Sequence, residues 1–86
     1  MNICILSIYS RKFDDFVAQA EKTRPQWSTF VDNHHIAKVD DQSSIMIMKV
    51  NDFEAMGAIM SSDEMKAWDT ANGCVDVIYA MEEMTE

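Results

Sequence analysis

The chain has 86 residues, of which 48% are hydrophobic and 26% charged, so it makes one small globular domain with little disorder. Its formal charge of −8 argues against nucleic acid and anionic membranes as partners, because both are recognised by basic surfaces. Two cysteines, Cys4 and Cys74, are too few for a disulfide framework and are typical of a reducing cytoplasm. Because no basic region precedes the first apolar run and no apolar run reaches about 18 residues, we expect neither a signal peptide nor a membrane span, and hence a cytoplasmic protein.

The most apolar stretch lies in the middle of the chain, at residues 44–50, with the sequence Ser-Ile-Met-Ile-Met-Lys-Val. Its side chains are apolar on both alternating sides, which predicts a strand covered on both faces at the centre of a sheet. Residues 2–9 show the same pattern and predict its neighbour. Residues 36–39 are short and polar, as is typical of an edge strand, and the turn at residues 40–43 joins them to the central strand as a hairpin. Residues 74–81 predict the last strand.

Two helical regions separate these strands. The first is predicted to begin after a cap at Ser10 and to run to about residue 22, with Pro25 kinking it or starting a new turn and residues 26–33 forming a further helical piece. The second follows the capping pair Asn51-Asp52 and restarts at the Ser-x-x-Glu capping box of residues 61–64. Gly73 is suited to a left-handed cap at its end.

The resulting order, β-α-β-β-α-β, predicts a single ferredoxin-like α+β domain over residues 1–86, with a four-stranded antiparallel sheet of order 4-1-3-2 and helices on one face. The helix-free face keeps apolar side chains, and a patch of that kind marks an interface. Its simplest cover is a second copy of the sheet related by a two-fold axis. We expect this dimer face to contain Ile3, Ile5, Ser7, Ile45, Ile47, Lys49 and Asp76.

Three local features accompany this strand order: Phe13-Asp14-Asp15-Phe16 opens the first helix, residues 61–65 open the last helical turns, and a short helix precedes Gly73 and the final strand. In these features the chain resembles the dimeric α+β barrel superfamily, in which two ferredoxin-like protomers pack sheet to sheet. That group includes antibiotic-biosynthesis monooxygenases, haem-degrading enzymes, stress-responsive barrel proteins and many small uncharacterised families. The likeness covers nearly the whole chain and is closest to the uncharacterised members, so it implies a fold and a homodimer more than an activity.

Enzymes of this superfamily work in a cavity between helices and sheet. Its haem-degrading members use an Asn on the first strand and a Trp and a His from the second helical region. Asn2 and Trp68 match two of these positions, but no histidine follows His35, which argues against haem. The resemblance therefore implies no cofactor for this chain.

Several aromatic and histidine side chains could line a ligand pocket of the same kind, although packing in a core or an interface is the commoner role of aromatic residues. Adjacent histidines on an extended chain point to opposite sides, so His34 and His35 predict no metal site, and Asp32 with His34 supplies only two ligands. Five methionines suggest a core that can adapt around an apolar ligand: Met46, Met48, Met56, Met60 and Met65. The candidate pocket residues are Tyr9, Trp27, His34, His35, Trp68 and Tyr79.

Three functional hypotheses follow. The first is a cytoplasmic homodimer that is structural or binds a small apolar ligand between helices and sheet. The second, implied by the resemblance, is a cofactor-independent monooxygenase or isomerase in which Trp68, Tyr9 and either His34 or His35 position the substrate. The third is a regulatory domain that senses a ligand at its dimer interface. An enclosed cavity with a buried polar group aimed at its centre would favour the enzyme, whereas a core filled by side chains would favour a structural dimer.

Overall fold

The computed structural model describes residues 1–82 and 84. A four-stranded antiparallel sheet is covered on one face by three helices, in the order β2-β3-β1-β4, which is the predicted order 4-1-3-2. None of the helices in the described part of the chain has the length and apolar character that a membrane crossing requires. The elements are β1 Ile3–Ile8, α1 Phe13–Trp27, a 3-10 turn Ser28–Phe30, β2 Val31–Asp40, β3 Ser43–Val50, α2 Phe53–Met60, α3 Asp63–Asn72 and β4 Val75–Ala80.

The main departure from the predicted elements lies between α1 and β2. α1 continues through Pro25 to Trp27 and is followed by the 3-10 turn, so the helical piece expected at residues 26–33 ends at Phe30, and β2 is longer than the strand predicted at residues 36–39. Pro25 lies in the last turn of α1, where it has no N–H to donate to the Glu21 carbonyl oxygen, and the helix ends two residues later at Trp27. β2 begins at Val31, which pairs with Val50 of β3, because ladder hydrogen bonds to a central strand outweigh the weak helical preference of this segment.

The helix caps agree only in part with the cap residues predicted from the sequence. Asp52 caps α2 by accepting a hydrogen bond from the Ala55 amide, and Gly73 ends α3 with φ 59° and ψ 33°, both as predicted. α3 is capped by Ser62 instead of Ser61. The predicted cap Ser10 instead donates its hydroxyl to the Asn72 carbonyl oxygen at 2.5 Å, so it joins the end of β1 to the end of α3.

The register of the sheet decides which side chains meet the helices. Ile5 of β1 lies directly opposite Met46 of β3, and residues directly opposite in an antiparallel pair share a face. Both residues are buried in the core together with Trp27 from α1. The helix-covered face therefore carries Ile3, Ile5, Ser7, Tyr9, Ser44, Met46, Met48, Val50 and Asp76.

This register corrects four of the seven residues that were expected on the dimer face. Ile3, Ile5, Ser7 and Asp76 were assigned to the helix-free face, but the structure places them on the face beneath the helices. Three other predicted members of that face, Ile45, Ile47 and Lys49, do lie on the helix-free side. Because side chains alternate along a strand, a one-residue slip in pairing moves a whole strand's side chains to the other face. The actual helix-free neighbours on β1 and β4 are Cys4, Leu6, Ile8, Val75, Val77 and Tyr79.

Candidate functional site

A cavity of about 90 Å³ lies between the sheet and the three helices. A water molecule occupies roughly 10–15 Å³ on the same measure, so the cavity has room for about six waters or one small organic molecule. All five methionines singled out from the sequence contribute to its wall. The cavity is lined by Ile5, Ser7, Phe16, Gln19, Ala20, Thr23, Trp27, Phe30, Val31, Met46, Met48, Met56, Ile59, Met60, Met65, Trp68, Asp69, Cys74 and Asp76.

The wall formed by α1 is held by contacts within the helix. The Thr23 hydroxyl donates to the Gln19 carbonyl oxygen at 2.9 Å, and the Trp27 indole N–H donates to the Ala20 carbonyl oxygen at 3.3 Å. These bonds satisfy polar groups that would otherwise be buried without a partner, and they leave the apolar parts of both side chains facing the cavity. The wall is therefore apolar although it contains a threonine and a tryptophan.

The six predicted pocket residues divide between the two faces of the sheet. Trp27 and Trp68 line the cavity. Tyr9 is buried behind the cavity wall, with its ring stacked on Phe16 at a centroid distance of 4.8 Å, and His34 packs edge-on against Trp27 at 4.9 Å. His35 and Tyr79 belong to the helix-free face, where they flank Ile47 and Cys4 in the register, so their assignment to this pocket is wrong.

One end of the cavity is polar. The buried Ser7 hydroxyl donates to Asp76 Oδ1 at 2.6 Å, and the Cys74 thiol donates to the same oxygen at 3.5 Å. Asp69 comes from the last turns of α3, and the cap at Gly73 folds the chain back so that the Cys74 amide donates to the Asp69 carbonyl oxygen at 2.8 Å. One side-chain ligand atom from each of Asp69, Cys74 and Asp76 lies within 4.8 Å of the other two. We call these three residues the acidic end.

The electrostatics of the acidic end follow from its burial and from the charges close together. Burial raises the pKa of Asp69, and the negative charge of Asp76 raises it further. The same two causes, together with Asp69, raise the pKa of the Cys74 thiol well above its usual range, so this cysteine stays protonated at neutral pH. The acidic end therefore carries a neutral thiol and a carboxylate that holds its proton more tightly than usual.

Two buried hydroxyl groups next to the acidic end lack a hydrogen-bond partner among the described residues: Ser44 Oγ and the Tyr9 phenol. Ser44 lies directly opposite Ser7 on the helix-covered face. Burial raises the pKa of Tyr9, and the nearby Ser44 hydroxyl lowers it by a smaller amount, but the two hydroxyls do not reach good hydrogen-bonding geometry. A polar row thus crosses the sheet from β3 through β1 to β4, ending at Asp76.

Reasoning from the sequence missed Asp69 and Cys74 and placed Asp76 on the wrong face. The available signal was an aspartate inside the otherwise apolar strand Val75-Asp76-Val77-Ile78, since a carboxylate in such a strand needs a local partner. Asp69 carried no signal of its own, because its proximity to Asp76 depends on how α3 packs over the sheet.

Comparisons with known proteins support the fold. No family model and no curated protein matches the sequence. The chain has a ferredoxin-like α+β architecture. Among solved structures it is similar to SnoaB, a cofactor-independent oxygenase from Streptomyces nogalater, with a TM-score of 0.65 and 11% identity over 96% of this chain and 93% of that one. An ethyl tert-butyl ether d (EthD) family protein from Bacillus halodurans matches with a TM-score of 0.49 and 17% identity over 98% of this chain and 100% of that one. At 11% identity the likeness to SnoaB is one of fold alone.

Proposed function

We propose that the protein is a homodimer that binds a small, mainly apolar ligand in the cavity between the helices and the sheet. The observation that carries this proposal is the cavity itself, because a domain of this size normally fills its core with side chains. Its wall combines aromatic rings with five methionines, whose flexible side chains adapt to the shape of a ligand.

The homodimer is supported by the helix-free face of the sheet. Ile8, Val75, Val77 and Tyr79 are each between 41% and 63% exposed, and all four lie on this face. Strands about 4.8 Å apart and six residues long at about 3.3 Å per residue give the face an area of roughly 400 Å², the size of the largest apolar patch on a typical monomer, which is often functional. A second copy related by a two-fold axis would bury the same residues on both sides.

An oxygenase or isomerase of the same fold is the alternative, and the acidic end is the observation that favours it. Removal of a proton from a bound phenol or enol requires a base at the cavity, and Asp69 is a carboxylate there with a raised pKa. This alternative predicts oxygen uptake with an electron-rich phenol such as hydroquinone, and a lower rate in Asp69→Asn. Ligand binding without turnover supports the main proposal.

The test of the cavity uses ethylbenzene as the ligand and the melting temperature as the measurement. At a free concentration ten times its Kd, a ligand stabilises the native state by about 1.4 kcal/mol, which raises the Tm of a domain this small by roughly 6–10 °C. Ala20→Leu places a larger side chain in the cavity and should abolish the shift. Ala18→Leu, on the exposed side of the same helix, should retain it. If ethylbenzene leaves the Tm of the unmodified protein unchanged at saturation, the proposed function is wrong.

A further inference from the structure

The acidic end gives the cavity a charge that nothing in its wall balances. Asp69 and Asp76 both line the cavity, and no lysine, arginine or histidine does so among the described residues. The two ion pairs found in the described part of the chain involve other carboxylates, at the surface. Burial and mutual repulsion make this arrangement costly for the empty protein, as the raised pKa of Asp69 shows. A cation placed between the two carboxylates would relieve that cost.

A second observation comes from the buried hydroxyls beside this end. Ser44 is fully buried and its hydroxyl has no partner among the described residues, although buried polar groups in native proteins nearly always have one. It lies directly opposite Ser7, whose own hydroxyl donates to Asp76. Ser44 itself does not line the cavity, whereas Ser7 does, so Ser7 is the hydroxyl of this row that a ligand at the acidic end can reach.

We propose that the cavity ligand is an organic cation, with an apolar or aromatic body in the methionine-lined part and a protonated amino group at Asp69 and Asp76. This inference rests on the proposed function and names the chemistry of its ligand. An ammonium group makes hydrogen bonds of about 2.8 Å to carboxylates, so two carboxylate oxygens within 4.8 Å of each other are close enough to accept from one amine. Phe16 and Trp68 line the same cavity, and aromatic rings attract cations.

A divalent metal ion is the competing occupant of the acidic end. Asp69, Cys74 and Asp76 supply one side-chain ligand atom each, all within 4.8 Å of one another, and zinc would bind the Cys74 sulfur as the thiolate. The amine is favoured because only an organic cation also fills the apolar part of the cavity, which a metal ion would leave empty.

The test compares three ligands of one size by isothermal titration calorimetry at pH 7: benzylamine, its apolar isostere ethylbenzene, and the anion phenylacetate. Charge-assisted hydrogen bonds should make benzylamine bind at least about tenfold more tightly than ethylbenzene, with no binding of phenylacetate. Asp76→Asn keeps an acceptor for the Ser7 hydroxyl and removes the charge, so it should weaken benzylamine about tenfold and leave ethylbenzene unchanged. Asp69→Asn should do the same, and the exposed Asp14→Asn should change neither affinity.

Each alternative outcome separates the two proposals. If ethylbenzene binds as tightly as benzylamine, the cavity binds apolar ligands and the amine assignment is wrong. If neither compound binds, both the amine assignment and the proposed function fail. If zinc chloride alone binds and displaces benzylamine, the acidic end is a metal site and the amine assignment is overturned. Equal weakening of benzylamine by Asp14→Asn and Asp76→Asn would also overturn it, because general electrostatics would then explain the preference.

Discussion

Replacing Val77 with aspartate should dissociate the proposed homodimer without unfolding the protomer. Val77 lies on β4, directly opposite Leu6 of β1, on the helix-free face of the sheet, and is 41% exposed in the single chain. Its side chain contributes little to the protomer's own core, so a charge is tolerated there while the face is in water. In a sheet-to-sheet dimer the same charge would be buried twice, once in each copy.

The magnitude follows from burial. Complete burial of a valine is worth about 1.5–3 kcal/mol, so covering the remaining exposed part is worth roughly 0.6–1.2 kcal/mol per copy and about 1–2.5 kcal/mol per dimer. That loss alone weakens the dimer about tenfold or more. Each uncompensated carboxylate adds a desolvation penalty of several kcal/mol, because a short aspartate cannot reach solvent from a covered face. Val77→Asp should therefore be monomeric at micromolar concentration.

Sedimentation velocity over a series of protein concentrations measures this change, with circular dichroism to show that the variant is folded. Phe53→Asp is the matched control, since Phe53 is a 59% exposed apolar residue at the start of α2, in the helical layer. It introduces the same charge and should leave the dimer intact. A monomeric unmodified protein at high micromolar concentration would refute the homodimer, as would a Val77→Asp variant that sediments as a dimer.

Two further predictions concern stability. Gly73→Ala should lower the free energy of unfolding, measured in urea, by about 1 kcal/mol, because φ 59° is strained for alanine while the new Cβ would meet only ordinary contacts at Ser10. Gly57→Ala, in the middle of α2 where a Cβ meets open space, should instead raise the free energy of unfolding by about 0.5–1 kcal/mol. Equal effects at both sites would contradict this account. For Asp69, the native pKa lies above the ordinary value of 3.8, so the folded state binds this proton more tightly and stability declines as the pH rises through that pKa. Asp69→Asn removes the ionised group that Asp76 repels, so its Tm at pH 7 should exceed that of the unmodified protein and the difference should disappear in acid; a lower Tm at pH 7 would contradict the assigned cause.

The strand order could be predicted because its signals are local. The apolar segments at β1 and β3, the turn before β3 and the caps at Asp52 and Gly73 each depend on a few neighbouring residues, and together they define the ferredoxin-like order. The start of β2 could not be predicted in the same way. Trp27, Phe30 and Val31 are spaced as on a helix, and only the pairing of Val31 with Val50 turns the chain into a strand at that point.

The candidate site was predicted only where packing within one element defines it. The five cavity methionines and Trp68 were identified because their spacing marks the buried stripes of their helices and one side of β3. The acidic end was missed, since Asp69, Cys74 and Asp76 meet only after Gly73 reverses the chain and β4 pairs with β1.

The sequence by itself therefore determined most of the elements, their order and the presence of apolar side chains on the sheet face opposite the helices. Only the tertiary structure decided which face of β1 and β4 lies under the helices. The physical reason is that β1 is apolar on both sides, so its alternation cannot distinguish the two faces, and a pairing shifted by one residue would look equally good locally. The choice is made by long-range contacts: Ile5 faces Met46 and the helices, Ser7 meets Asp76, and the cavity forms between them.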